Sequence, residues 1–149
     1  MNWTQHVQRW RDCKLCPLHQ QRTNIVLARG NVPCDVLMIG EAPGESENII
    51  GQPFVGPAGR KIDEIIEEAW GRLDVTIGKI PTYALTNLVC CFPKEAKDAK
   101  INEPAKAEIL ACRPRLEEFI ALCRPRLIVE VGKLAEAYMP EVGVEVVSI

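Results

Sequence analysis

Apolar residues along this chain fall into short unbroken runs that alternate with stretches of helical period, a pattern that predicts an α/β fold. Asp35-Val-Leu-Met-Ile39 is such a run, closed by Gly40, and its lack of polar alternation suits a strand buried on both faces. Ile62, Ile65, Ile66, Ala69 and Trp70 then recur at i, i+3, i+4, i+7 and i+8 with charged residues between them and Gly71 behind, which predicts an amphipathic helix. Tyr83 to Val89 reads as a second strand. A helical stretch from about Pro104 to Leu122 is expected to break at Pro114. Leu127 to Val131 gives a third strand ending at Gly132, Lys133 to Met139 a short helix, and Val144 to Ile149 a fourth strand. Residues 2–12 form a short helix that stops at Cys13-Lys-Leu-Cys16-Pro17, and a Gly/Pro-rich loop runs from Gly40 to Gly59. The expected architecture is a four-stranded parallel sheet with helices on both faces, three layers in one domain.

In such sheets ligands collect at the carboxyl ends of the strands. Gly40-Glu41, Thr86-Asn87 and Gly132 all fall on that edge.

Composition narrows the picture mainly by exclusion. With 149 residues, 47% hydrophobic and 26% charged, the chain suits one folded domain. Its formal net charge of -2 argues against a protein that grips nucleic acid through overall positive charge. Any DNA contact must be local; Arg113, Arg115, Arg124 and Arg126 are candidates, although such a run is more often a solvated face. No leader and no membrane-length apolar run is seen, so a cytoplasmic protein with no membrane partner is expected. Seven cysteines without an export signal favour metal ligation over a disulfide framework.

The glycines of the 40–59 loop permit close backbone approach to a flat polar ligand, as they also would in an ordinary surface loop. No phosphate-loop lysine or dinucleotide fingerprint accompanies them. Phe54 is an aromatic within that loop, suited to stack on a base or to anchor the loop. Asn87 interrupts an apolar strand near its outlet, where an amide can both donate to and accept from a pyrimidine edge. Cys13 and Cys16 form a Cys-x-x-Cys pair, Cys90 and Cys91 follow the second strand and Cys112 lies beyond; four such thiolates are enough for a 4Fe-4S cluster or a zinc site, and ligand count alone does not choose between them. Cys34 and Cys123 read as buried free thiols.

Gly40-Glu-Ala-Pro-Gly44, then Gly51-x-Pro-Phe54-Val-Gly56-x-Ala-Gly59, a strand ending in Thr86-Asn87, and the amino-terminal Cys-x-x-Cys together resemble the family 4, iron–sulfur uracil-DNA glycosylases and their phage-borne relatives. The resemblance runs from Cys13 nearly to the end. It implies a domain that accepts a uracil flipped out of DNA and hydrolyses its bond to deoxyribose, acting as a monomer on uracil-containing DNA. By the same resemblance Phe54 stacks on the base, Asn87 bonds its Watson–Crick edge, and Glu47 stands where the thymine methyl is refused. Gly40, Glu41 and Ala42 then line the sugar side, with Glu41 a candidate general base. The family pattern Thr-Asn-x-x-x-Cys-x-Pro selects Cys91 as the third cluster ligand after Cys13 and Cys16, with Cys112 the fourth, and turns Cys90 to the opposite face as core. The stretch between Cys91 and Cys112, carrying Asn102-Glu103, is longer than the family leads one to expect. Neither His6 nor His19 matches the family's catalytic histidine, and the chain stops where a His-Pro-Ser-like motif is expected. A C-terminally truncated member with little or no turnover is therefore expected. The rival readings are a catalytically silent relative that binds DNA or a protein partner, and a zinc-stabilised interaction module.

Overall fold

A computed structural model describes residues 1–73, 80–93 and 103–149 of the chain. Among the described residues five α-helices, α1 (Trp3–Trp10), α2 (Glu45–Ile50), α3 (Pro57–Gly71), α4 (Lys106–Cys123) and α5 (Lys133–Tyr138), and a 3-10 turn at Pro17–Gln20 accompany five strands. The strands are β1 (Arg29–Gly30), β2 (Val36–Gly40), β3 (Tyr83–Asn87), β4 (Leu127–Glu130) and β5 (Glu145–Ser148), and they form one sheet in the order β1-β3-β2-β4-β5. β2 to β5 are mutually parallel, as the alternating pattern predicts. β1 is an added fifth strand, antiparallel to β3. With only two residues it has no alternation from which a strand can be read.

The central strands are apolar throughout because both faces are covered. Leu37 and Ile39 of β2, with Ala84 of β3 and Ile128 of β4, pack into a core with Ile109, Leu116 and Phe119 of α4. Val36 and Met38, with Leu85 and Val129, face the other way onto Ile62 and Ile66 of α3. The period-two split within β2 is what a doubly covered strand requires. β5 closes the opposite edge and is exposed along its length.

Three expectations are corrected. The 40–59 loop contains α2, six residues that share no apolar stripe. α3 begins at Pro57, whose missing N–H costs nothing at the first helical position. α4 runs unbroken through Pro114. The carbonyl that Pro114 leaves without an amide is that of Leu110, an exposed residue, so the gap lies on the solvent side, where water supplies a partner. Asn102 lies outside the described residues. Among the described residues no helix is long and apolar enough to cross a membrane.

Candidate active site

Parallel pairing sets Gly40 opposite Asn87 at the carboxyl ends of β2 and β3. The loop leaving Gly40 returns through α2 to lay Phe54 over this pair. A methyl group on Gly40 would come within 2.5 Å of the Phe54 ring and 2.6 Å of the Asn87 side-chain oxygen. Glycine is therefore required here to leave room between ring and amide. The result is a cavity of about 250 Å³ whose walls include Gly40, Glu41, Ala42, Glu47, Phe54 and Asn87, the whole set expected from the sequence.

Phe54 holds a left-handed backbone, φ 56°, which is costly for a bulky residue and persists only where neighbours impose it. Two side chains do so. The Glu47 carboxylate accepts from the Val55 and Gly56 amides at 2.9 and 2.6 Å through one oxygen, and from the Gly44 amide at 3.0 Å through the other. The Arg29 guanidinium donates to the Pro53 and Phe54 carbonyls at 2.7 and 2.9 Å and pairs with Asp63 at 3.0 Å. Gly59 packs directly beneath the Phe54 carbonyl, where any side chain would collide.

Asn87 is 3% exposed, and its side-chain amide has no hydrogen-bond partner among the described residues. The amide opens onto the cavity, where it is free to pair with a ligand that offers both a donor and an acceptor. Glu41 reaches across to the next strand end and accepts from the Leu134 amide in the first turn of α5 at 3.2 Å. Gly132, at φ 95°, makes room for that carboxylate. Glu41 thus stands between two tasks, capping a helix and facing the cavity.

The cysteines gather on the other side of β3. Cys13, Cys16, Cys90, Cys91 and Cys112 all line one small cavity together with His19 and Arg22. Cys90 is not turned away as expected. Its sulfur lies 3.6 Å from that of Cys112, because β3 has ended at Asn87 and strand alternation no longer governs which way residues 90 and 91 face. Hydrogen bonding with Cys90, then the charge of Arg115, hold the Cys112 thiol down to about 5 against its burial. Hydrogen bonding with Cys90, then Arg22, holds Cys91 at about 7, and the Arg22 guanidinium lies 3.4 Å from that sulfur. Cys90 itself is pushed up by its bonds to both neighbours and by burial. Two thiols are thereby biased toward the thiolate, the form that ligates metal. Among the described residues no three His, Cys, Asp or Glu side chains are grouped so as to hold a single metal ion. Cys34 and Cys123 are buried free thiols hydrogen-bonded to each other, outside this basin.

The model of the uracil DNA glycosylase superfamily matches residues 27–147. The chain belongs to that superfamily. It is 40% identical over 131 residues to the type-4 uracil-DNA glycosylase of Saccharolobus solfataricus, covering 87% of this chain and 55% of the relative. To the type-4 enzymes of Pyrobaculum aerophilum and Thermotoga maritima it is 37% and 35% identical over 134 and 131 residues, covering 89% and 88% of this chain and 62% of each relative. The chain thus spans a little over half the length of the curated relatives it matches.

Within this superfamily frame, three arginines carry the site without having been singled out for it from the sequence. Arg29 sits on the two-residue strand and Arg22 in a loop. Arg115, grouped with Arg113, Arg124 and Arg126 as a surface candidate, is 1% exposed and belongs to the core. Its helical spacing was the available signal: Cys112, Arg115, Leu116, Phe119 and Cys123 share the buried face of α4. Arg113 is half-buried and bonded to the Tyr138 carbonyl at 2.7 Å, leaving Arg124 and Arg126 as the exposed members of that patch.

Proposed function

We propose that this chain accepts a uracil flipped out of DNA and serves hydrolysis of its N-glycosidic bond. The observation that carries the reading is the Asn87 amide, bonded to no described residue, facing a cavity walled by the Phe54 ring and floored by a glycine. A pyrimidine stacked on Phe54 offers that amide one donor and one acceptor on its Watson–Crick edge, and the absent Cβ of Gly40 lets the ring lie flush. Glu47, fixed by three backbone amides, is a rigid wall, so refusal of a thymine methyl comes from its inability to move aside. Bond cleavage develops positive charge on the sugar and negative charge on the leaving base, and donors aimed at the base stabilise it. Glu41, on the sugar side, orients water while its other oxygen stays on the α5 amide.

Cys13, Cys16, Cys91 and Cys112 fit a 4Fe-4S cluster, since three chain segments bring them to one cavity with two thiols already biased toward ionisation. The cluster would clamp the amino-terminal segment and α4 to the end of β3; no redox step is needed for hydrolysis. Zinc is the competing occupant, and metal analysis of anaerobically purified protein separates the two.

The second reading, a relative that binds but does not turn over, is favoured by one fact: neither histidine lines the pocket. His6 is buried against Glu118 at 3.0 Å, and His19 lines the cysteine basin. A glycosylase assay on a single-stranded oligonucleotide with one uracil, developed by alkaline cleavage of abasic sites, tests the proposal. Abasic sites formed by the parent and not by Asn87→Ala support it. Binding without abasic sites supports the second reading.

A further inference from the structure

Arg115 is among the largest fully buried side chains of the described structure. Its guanidinium donates to Thr86 Oγ1 at 2.9 Å and to the carbonyls of Asn87 and Leu88 at 2.7 and 3.0 Å. Thr86 Oγ1 passes the contact on to the Leu27 carbonyl at 2.7 Å. The Arg115 Nε is enclosed with no partner. A buried cation needs an anion close by, or it is strongly destabilising. No carboxylate pairs with Arg115 among the described residues; the acidic groups around it are the thiols of the cysteine basin, first that of Cys112, which shares the buried face of α4 with it. Cys112 stands one helical turn before it. Arg115 therefore touches the pocket strand with both terminal nitrogens of its guanidinium and depends on the cysteine basin for its counter-charge.

We propose that Arg115 is a positioning residue that couples the two sites: the negative charge of metal-bound cysteines keeps it seated, and seated it fixes the backbone of Thr86 to Leu88 and so the aim of the Asn87 amide. This rests on the uracil pocket and metal-thiolate basin proposed above. A metal that lies outside the pocket would then sharpen base recognition without touching substrate, and by linkage base binding would help to retain the metal.

The test compares metal-loaded and chelator-stripped protein in binding a single-stranded oligonucleotide carrying one 2′-fluoro-2′-deoxyuridine, whose electron-withdrawing fluorine suppresses cleavage. For the parent, stripping is expected to weaken binding about tenfold, a usual size for coupling between sites. In Arg115→Met that ratio should fall close to one, while loaded Arg115→Met shows faster amide exchange at residues 87 and 88 than the loaded parent. The same ratio in parent and variant overturns the coupling. If Arg115→Met does not fold, Thr86→Val decides instead: metal content equal to the parent with a reduced ratio supports the coupling, and an unchanged ratio overturns it. A loaded parent that fails to bind the oligonucleotide at all overturns the pocket reading itself, and the coupling with it, before any variant is made.

Discussion

The pocket and the cysteine basin lie on either side of the end of β3 and are built in opposite ways. The pocket takes nearly all its walls from one continuous stretch, residues 40–59, and adds Asn87 through strand register. Its shape is fixed by sterics and backbone bonds: a glycine where a methyl would collide, a left-handed Phe54, a carboxylate saturated by three amides. The basin takes its thiols from three segments, around residues 13–16, 90–91 and 112, and five sulfurs line it, one more than the proposed cluster needs. A site of the first kind is organised before its ligand arrives. A site of the second kind is completed by what it binds, and the same substitution should therefore damage stability in the basin and recognition in the pocket.

The largest effect is expected in the basin. Cys91→Ser should lose the metal and, with it, much of the clamp on the amino-terminal segment, a change of several kcal/mol if the group behaves as a structural metal site. Cys90→Ser should retain the metal. Iron content, visible absorption and thermal melts of the two variants read this directly. Metal lost from Cys90→Ser and kept in Cys91→Ser would exchange the two roles, which the 3.6 Å approach of Cys90 to Cys112 makes a sharp comparison. Stoichiometric zinc without iron in the parent would replace the cluster altogether.

In the pocket, Asn87→Ala should lower affinity for a uracil-containing oligonucleotide at least about a hundredfold, because it removes the group proposed to pair with the base edge. Folding should hardly change, since the amide bonds nothing among the described residues. Gly40→Ala should produce the same loss by filling the gap between ring and amide. Parent-like binding by both variants would move the pocket elsewhere, and a collapse of the melting temperature would make Asn87 a structural residue.

How much of this was readable in advance follows from the same contrast. β2 and α3 were legible because burial imposes a local pattern, whereas the pocket was legible through the family resemblance that the contiguous, glycine-marked residues 40–59 carry; their composition alone also suits an ordinary surface loop. β1 has too few residues to show a period. α2 hides among glycines. Pro114 breaks an isolated helix but is tolerated where the unpaired carbonyl meets water. The orientation of Cys90 could not follow from strand alternation, because the strand stops three residues earlier. Arg115 was misread through charge alone: its side chain follows the apolar face of α4, and only the tertiary structure shows three oxygens and a set of sulfurs waiting for it.

A smaller effect is expected from Glu47→Gln, which keeps size and removes charge. The carboxylate accepts from donors on both oxygens, so the amide must turn an NH2 group toward a backbone N–H. A destabilisation of about 1–3 kcal/mol is expected, read by chemical denaturation. Retained uracil binding with lowered stability would make Glu47 a brace for the loop, and relaxed discrimination against thymine would add the role of wall.

The smallest and most discriminating effect concerns the backbone of Phe54. Removing the ring should cost about 1–3 kcal/mol of base binding whether the replacement is alanine or glycine, because either residue loses the same stack. Stability should separate them. At φ 56° alanine keeps the Cβ that crowds the backbone, whereas glycine does not, a difference of roughly 1 kcal/mol in favour of Phe54→Gly despite the greater entropy of glycine in the unfolded chain. Paired denaturation curves of the two variants measure that difference at constant loss of the ring. Phe54→Gly more stable than Phe54→Ala would show that the left-handed turn is held under strain by Glu47 and Arg29, as the preorganised pocket requires. Phe54→Ala equal to or more stable than Phe54→Gly would mean that the turn is relaxed when no base is present, and the pocket would then be completed by its ligand in the same manner as the basin.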